Sequence, residues 1–137
     1  MIYITGDKHA DFYEVCCFCK KEKTNISDLM IILGDAGINY FNDPRDCKLK
    51  KELSECNITF FCVHGNHEER PEKIKTYKTK EFYNGIVYYE EEYPNILFAK
   101  DGEIYNLNNK SVLVIGGAYS VDKEYRIKYG YCWYETE

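Results

Sequence analysis

Short apolar, β-prone runs and helical periodicity alternate through the first half of the chain. Ile2-Tyr3-Ile4, Leu29-Met30-Ile31-Ile32-Leu33 and Ile58-Thr59-Phe60-Phe61-Cys62-Val63 read as three strands. Between the first two, residues 9 to about 22 place Phe12, Val15, Cys16, Cys19 and Phe18 on one apolar side. This predicts a helix starting at His9, with Asp11 as an alternative N-cap. Thr24-Asn25 interrupts the pattern before the second strand. Asn42 or Asp43, followed by Pro44, predicts the start of a second helix, because proline suits the first turn. That helix runs to about Cys56 and shows Cys47, Leu49 and Leu53 among lysines and glutamates. The β-α-β-α-β order predicts three parallel strands joined by right-handed crossovers.

The second half has a different pattern. Residues 86–90, 96–99, 103–107 and 111–115 read as short strands separated by polar turns at Asp101-Gly102 and Asn108-Asn109. Those turns predict antiparallel hairpins that extend or face the first sheet. Gly116-Gly117 ends the last strand, and residues 122 to about 128 predict a short helix. The fold class is therefore α/β, with mixed sheet(s). No repeat, linker or low-complexity tract divides the chain, which predicts a single domain over residues 1–137.

Composition narrows the function classes. A hydrophobic content of 45% and a charged content of 30% describe a globular protein. The net charge of −5 argues against non-specific nucleic-acid binding, which needs a basic footprint. A small phosphorylated substrate stays open, because bound cations reverse the local charge. No apolar run reaches the roughly 18 residues of a membrane span. The start has no basic region or cleavage site, which predicts no signal peptide and a cytoplasmic location. Seven cysteines without a secretion signal read as reduced thiols. Cys16 and Cys19 form a Cys-x-x-Cys pair, but no second pair follows, and mid-helix they read as small hydrophobes.

Each of the first three strands is followed by a glycine-led segment: Gly6-Asp7-Lys8-His9, Gly34-Asp35-Ala36-Gly37 and Gly65-Asn66-His67-Glu68. Singly, each has a plain structural reading. Asp7 could cap a helix, Gly34 to Gly37 could be a turn, and Asn66 could occupy a left-handed position. Loops at the carboxyl ends of parallel strands converge on one crevice, however, so the three segments bring two aspartates, an asparagine and two histidines together. Oxygen ligands mixed with imidazole suit divalent manganese, iron or zinc, and a shared aspartate suits two ions.

This ordered series, Gly-Asp-x-His, Gly-Asp-x-Gly and Gly-Asn-His-Glu, resembles the calcineurin-like metallophosphoesterases over the whole chain. Gly116-Gly117-Ala118-Tyr119-Ser120-Val121-Asp122-Lys123 also looks like a subgroup found in bacteria and their phages. The resemblance implies an αββα sandwich and a dinuclear site that hydrolyses phosphate mono- or diesters. It implies that Asp7 and His9 bind the first metal, that Asp35 bridges, and that Asn66 binds the second. His67 would lie beside the leaving group as general acid or charge stabiliser. Arg70 and Arg126 are candidates for contacting phosphate, although either could be a loop or helix-surface charge. Glu68 could orient His67 or contact phosphate. His64 lies outside the pattern and reads as structural.

The family's two later histidine segments have no counterpart, since none of the three histidines follows His67. The sequence therefore reads as a C-terminally truncated member with one or no metal held firmly. Asp122 is a late carboxylate that could substitute, though its spacing does not single it out. Exposure of the run from Val112 to Ile115 would favour homo-oligomerisation. The alternative function is a catalytically incompetent metal-binding or interaction protein that retains half of the site. A nucleotide-binding module is disfavoured by the lack of Gly-x-x-x-x-Gly-Lys and Gly-x-Gly-x-x-Gly.

Overall fold

A computed structural model describes residues 1–135. Strands β1 (Ile2–Thr5), β2 (Leu29–Leu33) and β3 (Thr59–Val63) lie parallel, linked through helices α1 (Tyr13–Glu22) and α2 (Pro44–Ser54). This is the predicted β-α-β-α-β order. Met30, Ile32, Phe60 and Cys62 face the helix side with Phe12, Val15, Cys19 and Leu53. Ile31 and Phe61 face the opposite side. Covering on both faces explains why β2 and β3 read as continuous apolar runs rather than alternating ones.

The sheet continues through β4 (Lys78–Phe82), β5 (Gly85–Glu90) and β6 (Tyr93–Ala99), in the spatial order β1-β2-β3-β6-β5-β4. β6 pairs parallel with β3 and antiparallel with β5, so it joins the two halves of one mixed sheet. The remaining strands, β7 (Ile104–Leu107) and β8 (Lys110–Leu113), form a separate antiparallel pair. They pack Tyr105, Leu107 and nearby Val114 against Leu29, Ile31, Phe61 and Leu97. The layers are thus helices, six-stranded sheet and small second sheet, with α3 (Lys123–Tyr129) following. Leu113 and Ile115 are exposed, as are Ile4 and Leu33.

Several sequence expectations are corrected. α1 begins at Tyr13 rather than His9, because His9 and Ala10 have φ of 45° and 69°, outside the helical region. Its N-cap residue is Phe12, and Asp11 instead accepts the Tyr13 amide through its side chain at 3.2 Å. β4 has no apolar run to reveal it: Lys78, Thr79, Lys80 and Glu81 are the charged, polar residues that blunt a sheet edge. The Asp101-Gly102 turn leads from the large sheet into the small one and makes no hairpin. Asn108 and Asn109, with φ of 51° and 60°, do form the tight β7–β8 turn. Asp43 caps α2 by accepting the Arg45 amide at 2.8 Å, with Pro44 in the first turn.

Candidate metal centre

The segment after β1 leaves the sheet but stays hydrogen-bonded to the segment after β2. The amides of Asp7, His9 and Ala10 donate to the carbonyls of Gly34, Asp35 and Ala36 at 3.1, 2.8 and 3.0 Å. Asp7, His9, Ala10 and Asp35 all have positive φ, between 44° and 69°. Left-handed backbone at four non-glycine residues costs roughly 1–2 kcal/mol each, and such outliers cluster at functional sites. Gly37 permits the close approach: a Cβ there would meet the Ala10 nitrogen at 2.5 Å.

The third segment is drawn in by carboxylates. Asp35 accepts the His67 amide at Oδ1 (2.9 Å), and its Oδ2 lies 3.0 Å from His67 Nδ1. Burial pushes the Asp35 carboxyl up, but the His67 amide and ring and the charge of His9 outweigh it and hold it below the usual range. Glu68 is fully buried and accepts the Gly65 amide at 3.2 Å and the Gly37 amide at 3.1 Å. Burial raises its carboxyl to about 7, against the pull of those amides and that of Ala36. Glu68 is thus neither a solvated loop charge nor bonded to His67, and instead stands as a buried brace between two of the loops.

His9, Asp35 and His67 bring ligand-capable atoms within 4.8 Å of one another. Asp7 is not in that tight group. Its Oδ1 lies 3.0 Å from His9 Nε2, and its side chain is largely exposed. Asn66 is adjacent, donating from Nδ2 to Ser120 Oγ at 3.0 Å. Asp122, at the start of α3, reaches within 3.4 Å of His67 Nε2. Its Oδ1 is buried without a hydrogen-bond partner among the described residues. Sequence spacing gave no reason to select Asp122, since only the return of the chain after β8 brings it there.

Of the two arginines expected to contact phosphate, Arg126 lines a cleft together with His9, His67 and Asp122. Arg70 pairs with Asp101 at 2.6 Å, and Asp101 also accepts the Gly116 amide at 2.8 Å. Arg126 is buried, donates to the Cys132 carbonyl and lies 5.4 Å from the Trp133 ring. His64 is buried with both ring nitrogens unpartnered among the described residues. Burial, with the Arg70 charge beside it, pushes its pKa down to about 4, which fits the structural reading.

The donor set is chemically suited to a transition-metal cation: imidazole and carboxylate together, on loops fixed by cross-loop amides. Fold and site thus define a class, an α/β protein whose strand-end loops can hold a divalent ion. Within it, the chain belongs to the calcineurin-like phosphoesterase family, whose sequence profile matches residues 1–136. No curated protein and no solved structure matches the chain. Membership points to metal-dependent action on phosphoesters. Among the described residues, no helix is long and apolar enough to cross a membrane.

Proposed function

We propose that this protein is a metal-dependent phosphoesterase that hydrolyses phosphate mono- or diesters, with manganese, iron or zinc held by Asp7, His9, Asp35 and Asn66. The observation that carries the reading is that His9 and Asp35, two of those donors, come within 4.8 Å of each other and of His67, the acid, on three separate strand-end loops. Divalent cations bound there would neutralise phosphoryl oxygens and lower the pKa of an attacking water. The protein's own groups do the rest. His67 directs Nδ1 at Asp35, which leaves Nε2, on the side of Asp122, as the nitrogen that would pass a proton from the imidazolium to a departing oxygen. Asn66 uses its amide nitrogen on Ser120, which fixes the carbonyl oxygen as its remaining donor atom. Seven free thiols suit a reducing, cytoplasmic setting.

The test is hydrolysis of an aryl phosphate with added manganese. Parent protein should turn over, and Asp35→Asn should lose about tenfold to a hundredfold or more, since groups that merely hydrogen-bond to metal ligands already carry losses of that order. Well-folded parent protein with no metal-dependent turnover would refute the proposal. A second reading, metal binding without catalysis, draws on the same three-residue group, which suits one ion. It requires a stoichiometry of one by elemental analysis and no hydrolysis. Two bound ions per chain would exclude it.

A further inference from the structure

A cleft of about 430 Å³ opens beside the candidate centre and shares His9 and His67 with it. Four aromatic rings line it: Tyr40 and Phe41 from the loop after β2, Tyr125 from α3 and Tyr131 from the segment after α3. The rings are held in place before any ligand arrives. Arg45 lies 3.4 Å over the Phe41 ring, and Tyr40 packs edge-on to Phe41 at 4.8 Å. Tyr125 and Tyr131 stack within 17° of parallel, with centroids 6.0 Å apart. Tyr134 donates to the Tyr40 carbonyl at 2.7 Å, tying the two sides together.

We infer that this cleft receives a planar aromatic group, a nucleobase or aryl ring, of the phosphate ester whose phosphoryl end lies at His9, Asp35 and His67. The inference rests on the phosphoesterase reading and adds the substrate class. A cavity of this size suits one small ligand rather than a protein surface. Pre-set aromatic walls reward a flat π-system over an aliphatic chain, because base–aromatic stacking is favourable and ring order is already in place. The net charge of −5 further disfavours long polyanions, leaving small esters.

The comparison that isolates the cleft is adenosine 5′-monophosphate against ribose 5-phosphate, with manganese. Both break a bond to a ribose 5′ primary alkoxide, one of adenosine and one of free ribose, so the leaving oxygens match and the ratio of kcat/KM reads the base. Stacking predicts a ratio of roughly tenfold to a hundredfold. Tyr125→Ala and, separately, Tyr131→Ala should bring the ratio toward one. Both side chains are more than half exposed, so the variants should fold, as circular dichroism checks.

Binding gives a readout independent of turnover. Adenosine or phenol, each without phosphate, is titrated against the fluorescence of Trp133, the chain's single tryptophan. Saturation by adenosine at tenfold lower concentration than phenol assigns the cleft to nucleobases, and equal saturation assigns it to simple aryl rings. Saturation by neither, or a kcat/KM ratio of one in active protein, overturns the inference while leaving the phosphoesterase reading intact. No turnover of these two esters, of the aryl phosphate or of its diaryl diester overturns the phosphoesterase reading, and the titrations still decide the cleft.

Discussion

At Gly65 an added methyl carbon would stand 2.0 Å from Asp35 Oδ1 and 2.1 Å from the Asp35 nitrogen, with the Asp35 Cα at 2.7 Å. Ordinary contact begins near 3.4 Å. Two of those three atoms are backbone and cannot rotate aside, so Gly65→Ala must part the β2 and β3 loops by about 1 Å or more. The hydrogen bond from the His67 amide to Asp35 Oδ1, now 2.9 Å, spans that same gap and would be lost. Overpacking costs about 1–3 kcal/mol, and a hydrogen bond to a charged group about 1.5–3 kcal/mol. The variant should therefore be roughly 3–5 kcal/mol less stable by urea unfolding, out of a total of about 5–15 kcal/mol for a domain. Because a shift near 1 Å costs about a hundredfold in rate, phosphoester turnover should fall by that factor. Gly102→Ala is the control: at φ of +82° with nothing within 4 Å, it carries only about 1–2 kcal/mol of backbone strain. Parental urea midpoint and parental turnover in Gly65→Ala would refute the reasoning.

Three further outcomes are expected. Lys50 and Glu90 form a buried pair at 2.6 Å between α2 and β5, so Lys50→Met should cost about 3–5 kcal/mol by leaving a buried carboxylate unpaired. Lys50→Met combined with Glu90→Leu should recover most of that loss in a denaturation cycle. His64, held down to about 4, binds its proton more weakly folded than unfolded, so stability falls as pH drops from about 6.5 toward 4. The unfolding free energy of His64→Leu relative to the parent should accordingly rise by roughly 3 kcal/mol between pH 7 and pH 4, measured by urea titration at each pH. Iodoacetamide at pH 8 should label exposed Cys17 and Cys47 first, while Cys62, buried with its thiol pushed well up, reacts only on unfolding, as peptide mapping would show.

The three parallel strands were legible in the order of residues, because β2 and β3 are covered on both faces and so read as unbroken apolar runs. That order also placed the metal-type side chains at strand ends, where three glycine-led segments in series bring their oxygen and imidazole donors to one crevice. The Asp43 cap and the Asn108-Asn109 turn were legible for the same reason: each is a local contact between near neighbours. β4 was not legible, since an edge strand of lysine and glutamate carries no burial signal. The start of α1 was misread because His9 and Ala10 take their backbone conformation from amides bonded across to Gly34–Ala36, a partner far along the chain. That Glu68 is a buried brace, that Arg70 pairs with Asp101 and that Asp122 reaches His67 follow from long-range packing alone. In each case the governing contact joins segments whose spacing along the chain bears no relation to their distance in space.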